Sequence, residues 1–493
     1  MGVVAMKNNG IEGRVIREAI QGIWPVLPDE RNWGTLGLTA VAISAGVAAW
    51  SYIIGGFVAY YLGAKMGTMA MIAGSLVAMF FVVMATIPSS VRYGIDTITA
   101  SKPQFGTRGS YFSIFLQYAS IIGWNCLLLI LLGRATGGIA LEAGWIGESS
   151  VGFVSVLGSL TAITLSWLLL RRGAESIRNY SYFIAIIVTA LGLWILYKLV
   201  VGVGLTAIFQ AKPLASSGDR LWDYTAGFEV LVATVLSWWP YMGGIVRMVP
   251  SSRQAIWPAM LCMGLPTGVI SLIGLFSALA TGNADPTAWL IKFGGIKFGI
   301  VALIFLAMAN IGTAVVGAYV ASIGLKQIPV FQKGITWNWI TFIALVPVAL
   351  IAAIVPSFFF DNTGTFFAFL GVFFAPVCGI QIVDYFFLRK QRLNSRGLYE
   401  TDSGSAYYFL GGINPVAFLA VIAGFFCYTS LLNPVSYESS GLFKYISASV
   451  PALVASSVVY YVITKLFLVN SKIGDYTANS VGAASGSVEE EVA

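Results

Sequence analysis

The sequence predicts an all-α polytopic membrane protein, and three observations carry that prediction. Hydrophobic residues make up 58% of the 493 positions and charged residues only 10%, far from the soluble norm. Apolar stretches of about 20 residues, the length that crosses a bilayer, recur along the whole chain. The basic residues gather in alternate connections between them, as the positive-inside rule requires. Twelve transmembrane helices result, at roughly 34–62, 66–88, 111–140, 151–170, 180–207, 224–245, 257–281, 296–322, 335–355, 363–388, 411–432 and 445–469.

The lipid bilayer is therefore one expected partner, and nucleic acid is not. The net charge of +7 follows membrane topology. With the amino terminus inside, the arginines and lysines between Lys7 and Arg31, Arg92 and Arg108, Arg171 and Arg178, and Arg389 and Arg396 all fall on one side. So do Arg247, Arg253, Lys326, Lys333, Lys465 and Lys472. Both termini are expected in the cytoplasm of a cell-membrane protein. The first thirty residues hold no apolar core with a cleavage site, so the first span serves as its own insertion signal.

Several chemistries are excluded by composition. There is no histidine, which removes the commonest metal ligand and the usual proton relay near neutral pH. Cys126, Cys262, Cys378 and Cys427 all lie within spans and read as small packing residues. No nucleophile motif, Walker-type loop or metal-ligand cluster occurs, so neither an enzyme nor an organic cofactor is expected.

In chain order, residues 1–33 form a cytoplasmic arm ending in Pro28-Asp29-Glu30-Arg31-Asn32-Trp33. The first span carries Ile43-Ser44-Ala45-Gly46-Val47-Ala48-Ala49-Trp50, where Gly46 permits either close helix packing or local unwinding. The loop after span 2 is polar. Its Arg92 or Arg108 could pair with Asp96, or the whole loop could be solvated.

Span 3 carries Gly123-Trp124-Asn125. A tryptophan at mid-membrane is away from its usual interfacial place; its N–H needs a partner, and its face can stack on a planar ligand.

Span 6 contains Ser237-Trp238-Trp239-Pro240-Tyr241-Met242-Gly243-Gly244. Pro240 and the glycine pair are expected to interrupt the helix. A broken helix in lipid leaves backbone groups that a ligand, ion or cavity must satisfy; the plainer reading is a packed proline kink. Glu229 in the same span is costly at that depth. It reads either as a proton-coupling carboxylate or as an acceptor at a helix start.

Span 8 places Asn310 and Thr313 on one helical face. The Thr313 hydroxyl beside exposed carbonyls suits an alkali cation, which prefers hard oxygens; a bond back to its own helix is the simpler alternative. Span 10 carries Gly371, Pro376 and Gly379 and ends in Asp384-Tyr385. Spans 11 and 12, at 411–469, read as an accessory pair. Residues 470–493 are polar and expected to be disordered.

Interrupted span 1 opens one set of five crossings, 34–207, and interrupted span 6 opens a second, 224–388. An odd number per set inverts the second relative to the first. Paired broken helices in inverted repeats point to a transporter site.

Several motifs resemble those of the nucleobase–cation symporter-1 family, which includes cytosine, allantoin and hydantoin permeases. They are Pro28-Asp29-Glu30-Arg31-Asn32-Trp33, Phe105-Gly106-Thr107-Arg108-Gly109-Ser110, Asn310-Ile311-Gly312-Thr313 and Asp384-Tyr385, in order along nearly the whole chain. The resemblance implies the five-plus-five inverted repeat of sodium-coupled amino-acid transporters, with two added spans. It places a substrate-stacking aromatic at Trp124. It puts Leu128 where a hydantoin-type member has a glutamine, and Ala314 and Ala318 at two asparagine positions. The stacking aromatic of span 6 falls on Val235, with Trp238 nearly one turn on.

Candidate substrate-binding positions are thus Trp124, Asn125, Trp238, Trp239, Ala48 and Ala314. A sodium site, if sodium is the coupling ion, would use Ser44, Val47, Ala309 and Thr313, with Gly312 replacing one family hydroxyl. The expected function is a symporter importing a small planar heterocycle, driven by Na+ or H+. The alternative is a cation-coupled transporter of an amino acid or other small organic solute on the same fold.

Overall fold

The computed structural model describes residues 24–46, 49–171, 186 and 189–476. It is helical along the predicted spans, and each of the twelve segments holds apolar helix. Span 1 holds α1 (Thr35–Gly46) and α2 (Ala49–Val58), on either side of residues 47–48, which lie outside the described residues. There follow α3 (Ala64–Tyr93), the short α4 (Thr97–Phe105), α5 (Tyr111–Glu142), α6 (Val151–Leu170) and α7 (Thr189–Val203). Span 6 consists of α8 (Arg220–Leu236) and α9 (Trp239–Val246). The remainder are α10 (Ser252–Thr281), α11 (Phe298–Lys326), α12 (Trp337–Ile354), α13 (Thr363–Leu388), α14 (Pro415–Leu431) and α15 (Ser449–Val469). Among the described residues, eight helices are long and apolar enough to cross a membrane, or nine with α8 and α9 taken as one.

Two packed bodies share the fold. In the first, α5 packs on α6 and α11, and α12 completes the group. Their apolar core is a cluster of its own, including Cys126, Ile130, Ile163, Ala314, Ala318, Trp337 and Val348. Small residues allow the approach: a Cβ on Gly133 would stand 2.1 Å from the Ser155 carbonyl oxygen. Two asparagines then stitch α5 to α11 in opposite directions. Asn125 Nδ2 donates to the Ala314 carbonyl at 3.4 Å, and Asn310 Nδ2 to the Leu128 carbonyl at 2.8 Å.

In the second body α2 packs on α10, and α3 packs on both α8 and α10. The α2–α10 contact is backbone against backbone, since a Cβ on Gly55 would sit 1.8 Å from the Ser271 carbonyl oxygen. Helices α14 and α15, the accessory pair of the sequence reading, pack on each other and against α13. The four cysteines are free thiols.

Span 6 is broken, but not by its glycines. Helices α8 and α9 meet at 46° across Ser237 and Trp238. Pro240 stands in the first turn of α9, where its missing N–H costs nothing because no helical acceptor exists for it. Gly243 lies inside α9, where a side chain would strike the Thr97 backbone nitrogen at 2.4 Å. Its own N–H donates to Thr97 Oγ1 at 2.9 Å. Gly243 is thus a point of close approach, and Gly244 is exposed with open space beside it.

The end of the molecule that bears the amino-terminal arm is tied by polar contacts. Trp33 N–H donates to the Met248 carbonyl, Val26 N–H to that of Gly94, and Trp24 stacks on Tyr399 at 5.2 Å. Asp96 caps α4 through Thr99 N–H and accepts from Gln327 Nε2 at 2.9 Å. Neither arginine named for it forms an ion pair with it among the described residues. Lys102 is half-buried there and donates to the Leu398 carbonyl; burial pulls its pKa down, and Asp96 partly opposes that.

Asp384 and Arg389 form a buried ion pair at 2.8 Å. Gln104, Tyr460 and Tyr476 also donate to Asp384, and Arg389 donates to the Gly474 and Pro103 carbonyls. The chain expected to be disordered from Asn470 is therefore packed as far as Tyr476. Residues 477–493 lie outside the described residues.

Candidate functional site

The break in span 6 faces α5 and the second half of span 1, and aromatic rings fill the junction. Trp124 stands midway along α5 and is part-buried, and beside it Gly123 leaves space for Phe366 that no side chain could share. The Trp124 ring lies 5.5 Å from Phe366, edge to face, and 5.6 Å from Phe367. Its Nε1 donates to Ser237 Oγ at 3.2 Å, and Ser237 in turn donates to the Thr234 carbonyl. Trp238 packs on Tyr241 at 5.5 Å. Between these groups stands Trp50, 5.7 Å from Trp124 and 5.9 Å from Trp238. These separations suit aromatic contact.

The predicted site residues divide. Trp124 and Trp238 come together, joined through Trp50. Trp239 is fully buried, packs on Phe374 and donates its Nε1 to Gln381 at 2.6 Å; it belongs to the α9–α13 contact. Asn125 and Ala314 meet each other in the α5–α11 seam described above. Ala318 and Leu128 are buried there or beside it. Ala48 and Val47 lie outside the described residues, as does the side chain of Ser44. On α11 the Thr313 hydroxyl donates to the Ala309 carbonyl one turn back at 3.0 Å, the bond within its own helix that was the simpler alternative to a cation ligand. No group of three acidic, histidine or cysteine side chains that could hold a metal occurs among the described residues.

Trp50, Ser237, Tyr241, Phe366 and Phe367 were not singled out from sequence. The one available signal was Trp50's place just after the suspected interruption in span 1.

Glu229 has a structural partner far along the chain. Its carboxylate accepts from the N–H groups of Ala448 and Ser449, at 3.2 and 3.1 Å, and from the Ser449 hydroxyl. It thereby caps the first turn of α15, where an anion satisfies donors that no helical carbonyl can reach. The expected acceptor role at a helix start holds for α15 instead of its own helix. Glu229 also borders a small cavity with Trp222, Phe367, Tyr428 and Phe443. Phe367 separates that cavity from Trp124.

With this geometry in place, the similarities to known proteins become interpretable. Residues 25–445 match the family described as permeases for cytosine/purines, uracil, thiamine and allantoin. The chain belongs to that family. Relatives include the purine-uracil permease NCS1 of Arabidopsis thaliana, 24% identical over 429 residues, covering 81% of this chain and 69% of the relative. The hydantoin permease of Microbacterium maritypicum is 22% identical over 464 residues, covering 86% of each. The allantoin permease of Bacillus subtilis is 22% identical over 430 residues, covering 81% and 84%.

Among solved structures, the inward-facing conformation of Mhp1 superposes with a TM-score of 0.73 at 18% identity, covering 92% of this chain and 96% of that one. A Na+-coupled sialic acid symporter superposes with a TM-score of 0.55 at 10% identity, covering 93% and 98%. The fold is that of the five-plus-five transporters, as the paired interruptions implied. The relatives are permeases and not enzymes.

Proposed function

We propose that this protein is a secondary active symporter that imports a small planar heterocycle, of the nucleobase, allantoin or hydantoin kind. The observation that carries the reading is the aromatic junction at the span 6 break, where Trp124 and Trp238 offer indole faces at the middle of the membrane. A flat, uncharged ring gains from stacking on such faces whatever its edge pattern. Family membership and the substrates named for the relatives support the same class.

A gradient of Na+ or H+ supplies the driving force in this proposal. The Ala309 carbonyl and Thr313 hydroxyl are the described oxygens suited to the cation, with Ser44 and Val47 completing the proposed set. Transport proceeds by rocking of the α2–α3–α8–α10 body against the α5–α6–α11–α12 body. The protein sits in the cell membrane with both termini in the cytoplasm.

The test is uptake of purines, pyrimidines, hydantoin and allantoin into proteoliposomes, with a sodium gradient, a proton gradient or neither. Gradient-dependent accumulation of at least one is expected. Accumulation of none, together with competition by amino acids for a solute that is taken up, would move the protein to the other substrate class.

A further inference from the structure

Trp50 is only 7% exposed, and it faces both of the indoles proposed to hold the substrate. Its ring meets Trp124 at 62° and Trp238 at 59°. No ring contact joins Trp124 directly to Trp238 among the described residues. A ligand stacked on either indole needs its ring centre about 4.5–7 Å away, the distance at which Trp50 already stands from both. A ligand stacked on the side of either indole that faces Trp50 therefore competes with the Trp50 ring for that space.

Trp50 cannot easily be carried out of that space. It lies one turn before the stretch of α2 whose backbone touches that of α10. A Cβ on Gly274 would stand 2.2 Å from the Tyr52 carbonyl oxygen, matching the contact made by Gly55. Helix α2 can shift only with α10, in the body that also contains α8, so the Trp50 backbone keeps its place beside Trp238 and its ring remains a wall. The other walls are Trp124, Trp238 and Phe366, all aromatic. The positions that could have read a ligand edge with an amide are Leu128, Ala314 and Ala318. Selection in such a site rests on shape, and an apolar pocket discriminates by size.

We infer that Trp50 sets the size limit of the substrate site, admitting single-ring heterocycles and excluding fused two-ring ones. The inference rests on the heterocycle reading above and narrows it. Replacing Trp50 by alanine leaves an aromatic-lined space that a larger ligand can fill, as apolar cavities do.

The test is equilibrium binding of radiolabelled uracil, hydantoin, allantoin and adenine to the purified full-length protein, the Trp50→Ala variant and the Trp50→Phe variant. Wild type is expected to bind at least one single-ring ligand about tenfold or more tighter than adenine. Trp50→Ala is expected to close that gap, and Trp50→Phe to narrow it; if Trp50→Ala does not fold, Trp50→Phe decides. Adenine binding wild type as tightly as the single rings, or a gap unchanged in the folded variants, overturns the inference alone. Wild type binding none of the four overturns the heterocycle reading and this inference with it.

Discussion

Trp124 Nε1 donates to Ser237 Oγ at 3.2 Å and ties the α5 body to the broken helix at the site, while Gln117 Nε2 of α5 donates to the Pro240 carbonyl at 3.2 Å further along. An indole N–H left without an acceptor in a buried site costs about 1–3 kcal/mol. Ser237→Ala is expected to lower the population of this conformation by about fivefold or more, since a factor of ten corresponds to about 1.4 kcal/mol. Ser237→Thr, which keeps the hydroxyl, should restore it. Accessibility of single engineered cysteines on α9 to a membrane-impermeant thiol reagent reads the change, in a background lacking the four native thiols.

The two neighbouring tryptophans of span 6 have different work. Trp238 shares the junction with Trp50, whereas Trp239 is bonded to Gln381 of α13. Trp124→Ala and Trp238→Ala are expected to weaken heterocycle binding by about tenfold, the usual size of one lost stacking face. Trp239→Phe should leave affinity unchanged and lower resistance to SDS unfolding by about 1–3 kcal/mol, because it orphans the Gln381 oxygen. Equal losses of affinity for Trp238 and Trp239 variants would contradict this division.

How much of this was legible depends on what each residue's signal is local to. Trp124 could be read because a tryptophan at mid-span is out of place, and Trp238 because it lies two residues before a proline inside an apolar run. Trp50 carries the same residue type with no helix-breaking proline beside it, and only its distances to two other spans mark it. Gly243 was misread for a physical reason. Glycine serves both backbone freedom and close approach, and the deciding contact comes from Thr97, in a helix between spans 2 and 3. Asn125, a candidate substrate contact, carries an amide that in lipid needs a partner. The partner present is the Ala314 carbonyl, which no spacing rule within span 3 could supply.

Glu229 illustrates the same limit and yields a third prediction. Its donors, Ala448 and Ser449, lie some 220 residues further on. As a cap of α15, the carboxylate matters for stability first. Glu229→Ala is expected to cost about 1–3 kcal/mol by leaving the helix-start donors unpaired. Glu229→Gln keeps an acceptor and should retain gradient-driven uptake in proteoliposomes at a rate near wild type. Loss of ion coupling with intact substrate exchange in Glu229→Gln would instead favour the proton-coupling reading.

The pair Asp384 and Arg389 makes the most severe stability prediction, because both are sealed from solvent. Arg389 is 5% exposed and Asp384 fully buried. Burial works against the Arg389 charge, but Asp384 with Tyr476 and Tyr407 more than compensates, and its pKa stays above the ordinary arginine value. Removing the carboxylate strands a guanidinium in a dry site, for which about 3–5 kcal/mol is the usual cost. Asp384→Ala should therefore abolish folded protein in detergent, seen as loss of the monodisperse peak in size-exclusion chromatography. Tyr476→Phe removes one of several donors to the same carboxylate. It should cost only about 1 kcal/mol and leave the peak intact. Tyr476 also stacks on the Arg389 guanidinium at 4.1 Å, a contact phenylalanine preserves. Tyr476→Ala loses both and should fall between the two, which separates the ring's share from the hydroxyl's.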